Sequence, residues 1–383
     1  MKSFLNSDDI KKGDLMSNLK IIGLPLHTPK IGPVIKRGIG ILSGKSITAV
    51  ALGGNALLTG EIKASDFDGQ RRIAFKTTET LAKLAVEQNL RLITHGNGPQ
   101  VGALYNQKGD PLWERNKDTE LLIGDWIGDG LKSNLTELGV RIGSEVILTR
   151  VVVNPDDPAF KNPTKPIGDY YTFEEKEKLI QQKGWTFKKV KENERGWRRV
   201  VPSPKPIKII EVEEIAAELE AGKIVIAAGG GGVPVVEQEN GNPVGIDAVI
   251  DKDYASIFLI LKLRELGIPI SRFFIPTEAD GTYLNYAKPD QIFLRALRVD
   301  PFRKHFDKKQ FPPGQMGPKV EAAEVAAMAG IKIPGIMSLK QLGDLQAGTR
   351  VSLDYNPLSW LFRELIRWGI ISPFEYFKKV VSF

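Results

Sequence analysis

The 383-residue sequence contains no cysteine and only three histidines, His27, His95 and His305. The lack of cysteine excludes disulfides, thiolate metal sites and a cysteine nucleophile. Three scattered histidines predict no histidine-rich metal site. No run of 18 apolar residues occurs, so we expect no membrane span. The opening residues, MKSFLNSDDIKKG, lack the apolar segment of a secretion signal, and we therefore expect a cytoplasmic protein.

The charge balance is mildly basic, with a net charge of +7 at pH 7. Because no run of five or more basic residues occurs, we expect no nucleic-acid partner. An excess of positive charge does suit anionic small-molecule substrates. The hydrophobic fraction of 42% and the charged fraction of 26% are typical of globular proteins, which excludes a disordered or fibrous chain.

Apolar runs alternate with helical spacing along most of the chain. This order predicts an α/β fold, with a mainly parallel open sheet and helices on both faces. The predicted strands are 47–54, 90–102, 145–153, 223–236, 272–277 and 348–353. The predicted helices are 66–89, 118–138, 211–221, 252–266 and 318–329. Residues 154–206 are rich in proline, charge and aromatic side chains, which indicates an inserted subdomain, named here the lid.

Three predicted apolar strand segments are followed by glycines, and in 223–236 the glycines break the strand. These turns contain Gly53 and Gly54 with Asn55, then Gly96, Asn97 and Gly98, and finally Gly229, Gly230, Gly231 and Gly232. Ligands of open α/β sheets bind at the carboxyl ends of strands, where glycine lets backbone N–H groups approach an anion. A single glycine turn is often only a connector, but three in one chain favour an anion site.

Lysines stand beside these turns in constrained positions. Lys252 lies between Asp251 and Asp253 at a predicted helix start, and Lys319 follows Met316-Gly317-Pro318 at another. A helix start disfavours a cation, so an anion held between lysine and helix end would explain both. Lys165 and Lys205 are each flanked by prolines within the lid, which limits backbone freedom around the charge.

Glycine turns and lysines, without a serine or cysteine triad, point to phosphoryl transfer. That chemistry requires positioning and positive charge more than covalent catalysis. Asp253 can orient the lysines, while Mg²⁺ bridges the nucleotide phosphates without metal-ligating side chains of its own. His95 is either a ligand contact or a hydrogen-bonded structural histidine. The segment 38–46 lacks the first glycine of a phosphate loop, and no dinucleotide-binding glycine motif accompanies a strand and helix.

Eight segments resemble carbamate kinases of the amino acid kinase superfamily, from about residue 47 to residue 350. They read VALGGNALL, ITHGNGPQVG, RVVVNPDDPAFKNPTKPIG, ERGWRRVVPSPKP, AAGGGGVPVV, AVIDKDYAS, TYLNYAKPDQ and PGQMGPKVEAA. The resemblance implies an α/β three-layer αβα sandwich around a mainly parallel open sheet, with a protruding lid. It also implies a homodimer in arginine metabolism that transfers a phosphoryl group between carbamoyl phosphate and MgADP, giving carbamate and MgATP.

The resemblance also assigns roles to individual residues. Catalytic roles are implied for Lys252, Asp253, Lys165 and Asn55. Binding of carbamate or carbamoyl phosphate is implied for Gly53, Gly54, Gly96, Asn97, Gly98, Gly230 and Gly231. Nucleotide binding is implied for Lys252, Lys319, Met316, Thr277 and Tyr283. The implied domains are an N-terminal lobe over 46–222, which includes the lid, and a nucleotide-binding lobe over 223–350.

Three departures from the family pattern keep other functions open. Glu278 replaces an aspartate, Gln315 replaces a serine, and Ile123 replaces a glutamine. Glu278 and Ile123 motivate one alternative, a nucleotide-binding regulatory protein without turnover. A second alternative, from the same fold, is a kinase for another small acid, although the lid motifs argue against it.

Two terminal segments, 1–45 and 351–383, lie outside the resemblance. The C-terminal segment is aromatic and amphipathic, so we expect a helix docked on the body or on a partner subunit. Its alternative is binding at a membrane surface.

Overall fold

The computed structural model describes residues 46–54, 66–108, 111–190, 194–299, 311, 316–353, 366 and 372–374. Within these residues the α-helices are α1 Phe67–Glu87, α2 Gly98–Lys108, α3 Leu112–Glu137, α4 Phe173–Lys183, α5 Val212–Glu220, α6 Lys252–Glu265 and α7 Met316–Met328. The strands are β1 Ile47–Leu52, β2 Leu90–His95, β3 Ser144–Ile147, β4 Arg150–Val153, β5 Lys165–Tyr171, β6 Thr186–Lys189, β7 Trp197–Val201, β8 Pro206–Ile209, β9 Ile224–Ala227, β10 Val233–Glu237, β11 Pro243–Gly245, β12 Ile270–Thr277, β13 Thr282–Leu284, β14 Ile292–Leu294, β15 Ala296–Val299, β16 Ile333–Ser338 and β17 Thr349–Leu353.

The central sheet has eight strands in the order β15-β17-β16-β12-β1-β2-β9-β3. Every neighbouring pair is parallel except β16 and β17. Its inner strands are buried on both faces; β1, for example, is buried along its whole length. Continuous apolar strands of this kind are typical of a parallel sheet covered by helices on both sides. The predicted mainly parallel sheet is confirmed.

The two faces of the sheet carry separate hydrophobic cores. Side chains alternate along β1, so Ala49 and Ala51 join the core with α5, α6 and α7, whereas Val50 and Leu52 join the core with α1 and α3. This is the period-two alternation of a strand, seen from both of its faces. The predicted three-layer αβα sandwich is therefore confirmed.

The predicted single strand over 145–153 is wrong. The chain instead forms two strands, β3 in the central sheet and β4 in a four-stranded sheet of order β11-β10-β4-β8. The break falls at Leu148 and Thr149, and the backbone N–H of Thr149 donates to the side chain of Glu120 on α3. A buried hydrogen bond from outside the strand therefore interrupts a segment that reads as continuous from its apolar residues alone.

Helix α2 was not predicted, because the sequence Gly-Asn-Gly-Pro reads as a turn. The structure shows that Gly98 and Pro99 instead form the first turn of the helix, the position at which proline is best tolerated. Helix α3 also starts six residues earlier than predicted, directly after Pro111.

The lid contains its own antiparallel sheet of order β5-β7-β6, with α4 between β5 and β6. It meets the body at a very close backbone approach. A methyl group on Gly102 of α2 would lie only 2.1 Å from the Cα of Gly168 in β5. Glycine at position 102 is therefore what allows α2 and the lid sheet to contact each other, whereas Gly168 has a φ of 67°, which favours glycine for its backbone conformation. Around this point, Ile167 and Trp185 of the lid share a small core with Val101 of α2.

Candidate active site

Three glycine turns lie side by side at one edge of the central sheet. They follow β1, β2 and β9, which are adjacent parallel strands with the pairings Leu52 to His95 and Ile93 to Ile226. Because parallel strands point the same way, their carboxyl ends meet at the same edge. The sheet topology thus brings together three segments that are up to about 180 residues apart in the chain.

The turns contact one another directly. The Gly96 N–H donates to the Leu52 carbonyl at 2.9 Å. A methyl group on Gly96 would lie 3.3 Å from Lys252 Cδ and 3.4 Å from the Gly54 nitrogen. A methyl group on Gly230 would lie 2.2 Å from Asn97 Nδ2. The predicted residues Gly53, Gly54, Gly96, Asn97 and Gly230 therefore belong to one place, beside the predicted lysine.

The third turn requires glycine for its backbone conformation as well. Gly230, Gly231 and Gly232 have φ angles of 67°, 92° and 82°. Side chains at such angles are strained, and a methyl group on Gly231 would also lie 2.3 Å from the Ile250 carbonyl oxygen. The run of glycines is thus explained by a backbone packed between α6 and the turn at Asn97.

Two lysines share one buried aspartate at this edge. Helix α6 begins at Lys252, whose ammonium group donates to the Ala51 carbonyl at 2.9 Å and to Oδ1 of Asp253. Lys319, in the first turn of α7, donates to Oδ2 of the same aspartate at 2.8 Å. Asp253 is only 2% exposed. The predicted role of Asp253 in orienting the lysines matches this geometry.

The three groups shift each other's pKa in opposite directions. Burial lowers the pKa of Lys252 to about 8, although Asp253 opposes the change. Burial alone would raise the pKa of Asp253, but Lys252 and Lys319 outweigh it and hold that pKa below its usual range. Burial likewise opposes the charge of Lys319, but Asp253 outweighs it and raises the pKa. The cluster therefore carries net positive charge at neutral pH.

Lys165 reaches the same region from the lid. Its ammonium group lies 2.5 Å from Oδ2 of Asp251, whose Oδ1 caps the start of α6 by accepting from the Asp253 N–H at 2.9 Å. Asp251 therefore links the lid to the helix that carries Lys252. Lys205, the second proline-flanked lysine, lies with its Nζ 3.7 Å from the ring centroid of Tyr254.

A cavity of about 290 Å³ lies beyond the end of β12. Among its lining residues are Glu278, Asp280, Tyr283 and Tyr286. The hydroxyl group of Thr282 donates to Met316 Sδ at 3.9 Å, which connects this cavity to the first turn of α7 and so to Lys319. Thr277 is the last residue of β12. Of the predicted nucleotide residues, Tyr283 lines the cavity, Thr277 ends the strand beside it, and Met316 contacts Thr282, the neighbour of Tyr283.

His95 is a buried structural side chain. It is 0% exposed, and burial lowers its pKa to about 4, so the ring is neutral at physiological pH. A methyl group on Gly229 would lie 2.4 Å from its Nε2. The alternative of an open ligand contact is thus not supported, because the third glycine turn covers the ring.

Helix α3 contributes polar residues that we did not predict. Thr119 Oγ1 accepts from Asn97 Nδ2 at 2.6 Å, and Oε1 of Glu120 accepts from the Gly229 N–H at 2.9 Å and the Thr149 N–H at 3.1 Å. Both side chains are buried. The available signal was the helical spacing of Asn116, Thr119 and Glu120, which places polar residues on a face that continues as Ile123 and Ile127.

Some predicted positions lie outside the described residues, namely Asn55, Gln315 and residues 1–45. Ile123, the position of a missing glutamine, is fully buried in the core with α1. Glu278 lines the cavity beyond β12.

Within the described part of the chain, no helix is long and apolar enough to cross a membrane.

Backbone N–H groups of glycine turns, next to a positively charged Lys–Asp–Lys cluster, can hold and stabilise a phosphoryl group in transfer. Together, this sheet and this site define a phosphotransferase of the amino acid kinase fold.

Comparison with known proteins narrows this class. The chain is 41% identical over 285 residues to the carbamate kinase of Thermococcus kodakarensis, which covers 72% of this chain and 88% of that protein. It is 39% identical over 300 residues to the carbamate kinase of Clostridium perfringens, with 76% and 93% covered. The chain belongs to the carbamate kinase family.

Solved structures agree with this assignment. The carbamate kinase of Giardia lamblia bound to AMP-PNP superposes with a TM-score of 0.70 at 32% identity, covering 82% of this chain and all of that one. The same enzyme bound to citric acid gives a TM-score of 0.73 at 31% identity. No protein-family model matches the chain.

Proposed function

We propose that this enzyme transfers a phosphoryl group reversibly between carbamoyl phosphate and MgADP, giving carbamate and MgATP. In the ATP-forming direction, the bond between phosphorus and the carbamoyl oxygen breaks, and carbamate leaves with the electron pair. A β-phosphate oxygen of ADP forms the new bond to phosphorus. The observation that carries this proposal is the buried Lys252–Asp253–Lys319 cluster beside the glycine turns, in a chain of this family.

Lys252 is the residue we assign to the transferring group. Its side chain passes over Gly96 and ends between the first glycine turn and Asp253. A positive charge held there stabilises the negative charge that the phosphoryl oxygens carry in the transition state. Asp253 keeps both lysines in place, and the N–H groups of Gly53 and Gly54 are proposed to face the same phosphoryl group. The catalytic role of Asn55 stays a prediction.

The carbamoyl end is assigned to the second glycine turn and the lid. Gly96, Asn97 and Gly98 follow β2, and Gly230 and Gly231 pack against that turn. Oδ1 of the buried Asn97 has no hydrogen-bond partner among the described residues, so it is free to accept from the carbamoyl amide. Lys165 is proposed to exchange part of its interaction with Asp251 for the anionic substrate.

The nucleotide is assigned to the cavity beyond β12. Lys319 shares Asp253 with Lys252 and lies on the first turn of α7 with Met316, which contacts Thr282 next to the cavity-lining Tyr283; this placement suits contact with the ADP phosphates. Tyr283 offers an aromatic face for a base, while Thr277 and Met316 lie at the edges. Glu278 lines the same cavity, and its carboxylate is available to hydroxyl groups of a ribose.

Mg²⁺ enters as part of the MgADP substrate. Asp253 of the cluster and the neighbouring Asp251 are already paired with lysines, and no group of three or more metal-ligating side chains is found among the described residues. We assign Mg²⁺ to the nucleotide phosphates, where it neutralises part of their charge.

The proposed reaction is tested by measuring ATP formed from carbamoyl phosphate and ADP, with and without Mg²⁺, against a blank without enzyme. We expect ATP formation that depends on both enzyme and Mg²⁺. A panel of other acyl phosphates tests the alternative of another small acid as substrate. ADP binding by calorimetry without any ATP formation would instead support a regulatory protein.

Three further predictions accompany this function. We propose that the protein is a cytoplasmic homodimer, and that residues 46–222 and 223–350 act as the substrate and nucleotide lobes, with 154–206 as the lid. Light scattering at several protein concentrations measures the mass directly. A constant mass of one chain would contradict the dimer.

A further inference from the structure

The Gly229–Gly232 turn is hydrogen-bonded to the buried carboxyl group of Glu120. Oε1 of Glu120 accepts two backbone N–H groups, from Gly229 at 2.9 Å and from Thr149 at 3.1 Å. Glu120 lies on α3 and is 1% exposed. Because Thr149 follows β3 and Gly229 follows β9, a single oxygen atom holds together the ends of two neighbouring strands.

A second hydrogen bond supports the same anchor. The hydroxyl group of Thr149 accepts from the Ala228 N–H at 2.8 Å, so two consecutive N–H groups at the start of the turn are fixed by side chains. Ala228 has a φ of 50°, an unfavourable value for alanine. Residues in such conformations persist where the surroundings hold them. Here the surroundings are Glu120 and Thr149.

The far side of the turn faces the proposed reaction centre. A methyl group on Gly230 would meet the Asn97 amide, and one on Gly231 would meet the carbonyl group of Ile250, two residues before Lys252. The turn is thus clamped between the proposed carbamoyl site and the start of α6. The position of the turn relative to Glu120 therefore determines how far the proposed carbamoyl site lies from the start of α6.

We propose that Glu120 is a positioning residue, which holds the Gly229–Gly232 turn at the height needed for phosphoryl transfer. This inference rests on the proposed function, because the turn is taken to line the path of the phosphoryl group. Nothing in the proposed chemistry requires Glu120 to touch a substrate. Its effect is exerted through the backbone of the turn.

Burial disfavours the charged form of Glu120. Burial raises its pKa well above the usual range, against the lowering effect of the two backbone hydrogen bonds and with a smaller raising effect from Glu211. A glutamine side chain has the same length and the same acceptor oxygen. It can therefore reproduce both bonds from Gly229 and Thr149, whereas alanine leaves two buried N–H groups without an acceptor.

The test compares E120A and E120Q with L131A. Leu131 is a fully buried residue of α3 in the core with α1, so L131A lowers stability without touching the turn. We expect E120A to lower kcat about a hundredfold, the loss typical of a reacting group displaced by about 1 Å. E120Q should stay within about threefold of wild type, and L131A should keep its kcat despite a lower melting temperature.

A second variant covers the case in which E120A does not fold. T149V keeps the shape of the side chain and removes the acceptor of the Ala228 N–H. We expect kcat to fall about tenfold, as for the loss of one hydrogen bond, with the KM for MgADP within about twofold of wild type. Unchanged kcat in both E120A and T149V, or an E120Q variant as impaired as E120A, would overturn the proposal.

Hydrogen exchange separates this inference from the proposed reaction. Exchange over residues 224–236, measured by mass spectrometry, does not depend on turnover. We expect faster exchange at the turn in E120A and T149V, and wild-type exchange in E120Q and L131A. If the wild-type protein forms no ATP, the proposed reaction fails while exchange still tests the anchor. Unaltered exchange in E120A would overturn the anchor itself.

Discussion

The ammonium group of Lys165 lies 2.5 Å from the carboxylate of Asp251, and this ion pair joins the lid to the first turn of α6. Both side chains are mostly buried, with side-chain exposures of 18% and 7%. A partly buried pair of this kind responds to a competing anion, because the phosphate of a substrate offers the lysine more negative charge. We therefore expect binding of substrate and contact of the lid with the body to be linked through Lys165.

Replacing Lys165 by methionine should therefore impair use of carbamoyl phosphate more than use of ADP. We expect kcat/KM for carbamoyl phosphate to fall about 10²–10³-fold, the usual loss for one charge-stabilising donor. The dissociation constant of ADP, measured by calorimetry, should stay near the wild-type value. K188A, at an exposed lysine of the same lid sheet, serves as the control. Equal losses for both substrates would contradict the assignment of Lys165 to the carbamoyl side.

Lys252 should be the most sensitive position for turnover. Its removal takes away the positive charge nearest the three glycine turns and leaves Asp253 with Lys319 alone. We expect K252A to lower kcat by about 10³-fold or more, with ADP binding largely kept through Lys319. K208A, an exposed lysine paired with Glu237, is the matched control. Turnover close to wild type in K252A would remove this lysine from the mechanism.

The pH dependence of kcat/KM should reflect the ionisation of Lys252. Burial lowers the pKa of Lys252 to about 8, so the free enzyme loses this charge as the pH rises through that value. We expect kcat/KM for carbamoyl phosphate to be constant below the pKa and to fall about tenfold per pH unit above it. In K252R the guanidinium stays charged, and the fall should move to higher pH even if the maximal rate is lower. If kcat/KM fell at the same alkaline pH in the wild type and in K252R, the fall would have to come from a group other than Lys252.

The sequence predicted which glycines and lysines come together at the sheet edge, but not the chain path around them. Glycine turns after apolar strands and lysines at helix starts are local signals, and the parallel sheet then brings them together, as at Gly96 and Lys252. The role of Glu120 is not local. Its partners Thr149 and Gly229 are 29 and 109 residues away, so no spacing rule links them.

The same reason explains the strand that was predicted incorrectly. Residues 145–153 are mostly apolar, and the polar pair Thr149-Arg150 between Leu148 and Val151 does not by itself predict a break. The break follows from the hydrogen bond between the Thr149 N–H and Glu120, which withdraws that N–H from any strand pairing. Asp251 combines a local and a long-range contact. Its position directly before a helix predicts that it caps the helix, as it does. Its ion pair with Lys165 depends on how the lid packs against the body, which no local pattern predicts.

Asp253 should matter for both stability and turnover. In D253N, Lys252 and Lys319 face each other without the carboxylate that separates them. We expect the free energy of unfolding to fall by about 3–5 kcal/mol, as for other buried ion pairs that lose one partner. Because Asp253 raises the pKa of Lys252, the alkaline loss of activity should also begin at lower pH. Denaturant titrations compare D253N with D129N, at an exposed aspartate; equal stabilities would contradict the prediction.

The C-terminal segment should stabilise the helix that carries Lys252. The ring of Phe374 lies edge-on against Phe258 of α6, with centroids 4.5 Å apart, and Lys262 Nζ lies 4.2 Å from the centroid of the Phe374 ring. Ile366 also packs against this core. We expect F374A to lower the free energy of unfolding by about 1–3 kcal/mol, less than for a fully buried phenylalanine because Phe374 is half-buried.

Truncation tests the whole segment, provided that it begins after Leu353, where β17 ends. Deletion of 354–383 should lower the melting temperature at least as much as F374A does, because it exposes Phe258 and removes Ile366 as well. V86A, at an apolar residue that is 48% exposed, should leave the melting temperature unchanged. If the truncated protein and the wild type had the same melting temperature, the packing of Phe374 on α6 would contribute nothing to stability. Lys252 would then owe its position to the sheet and the glycine turns alone.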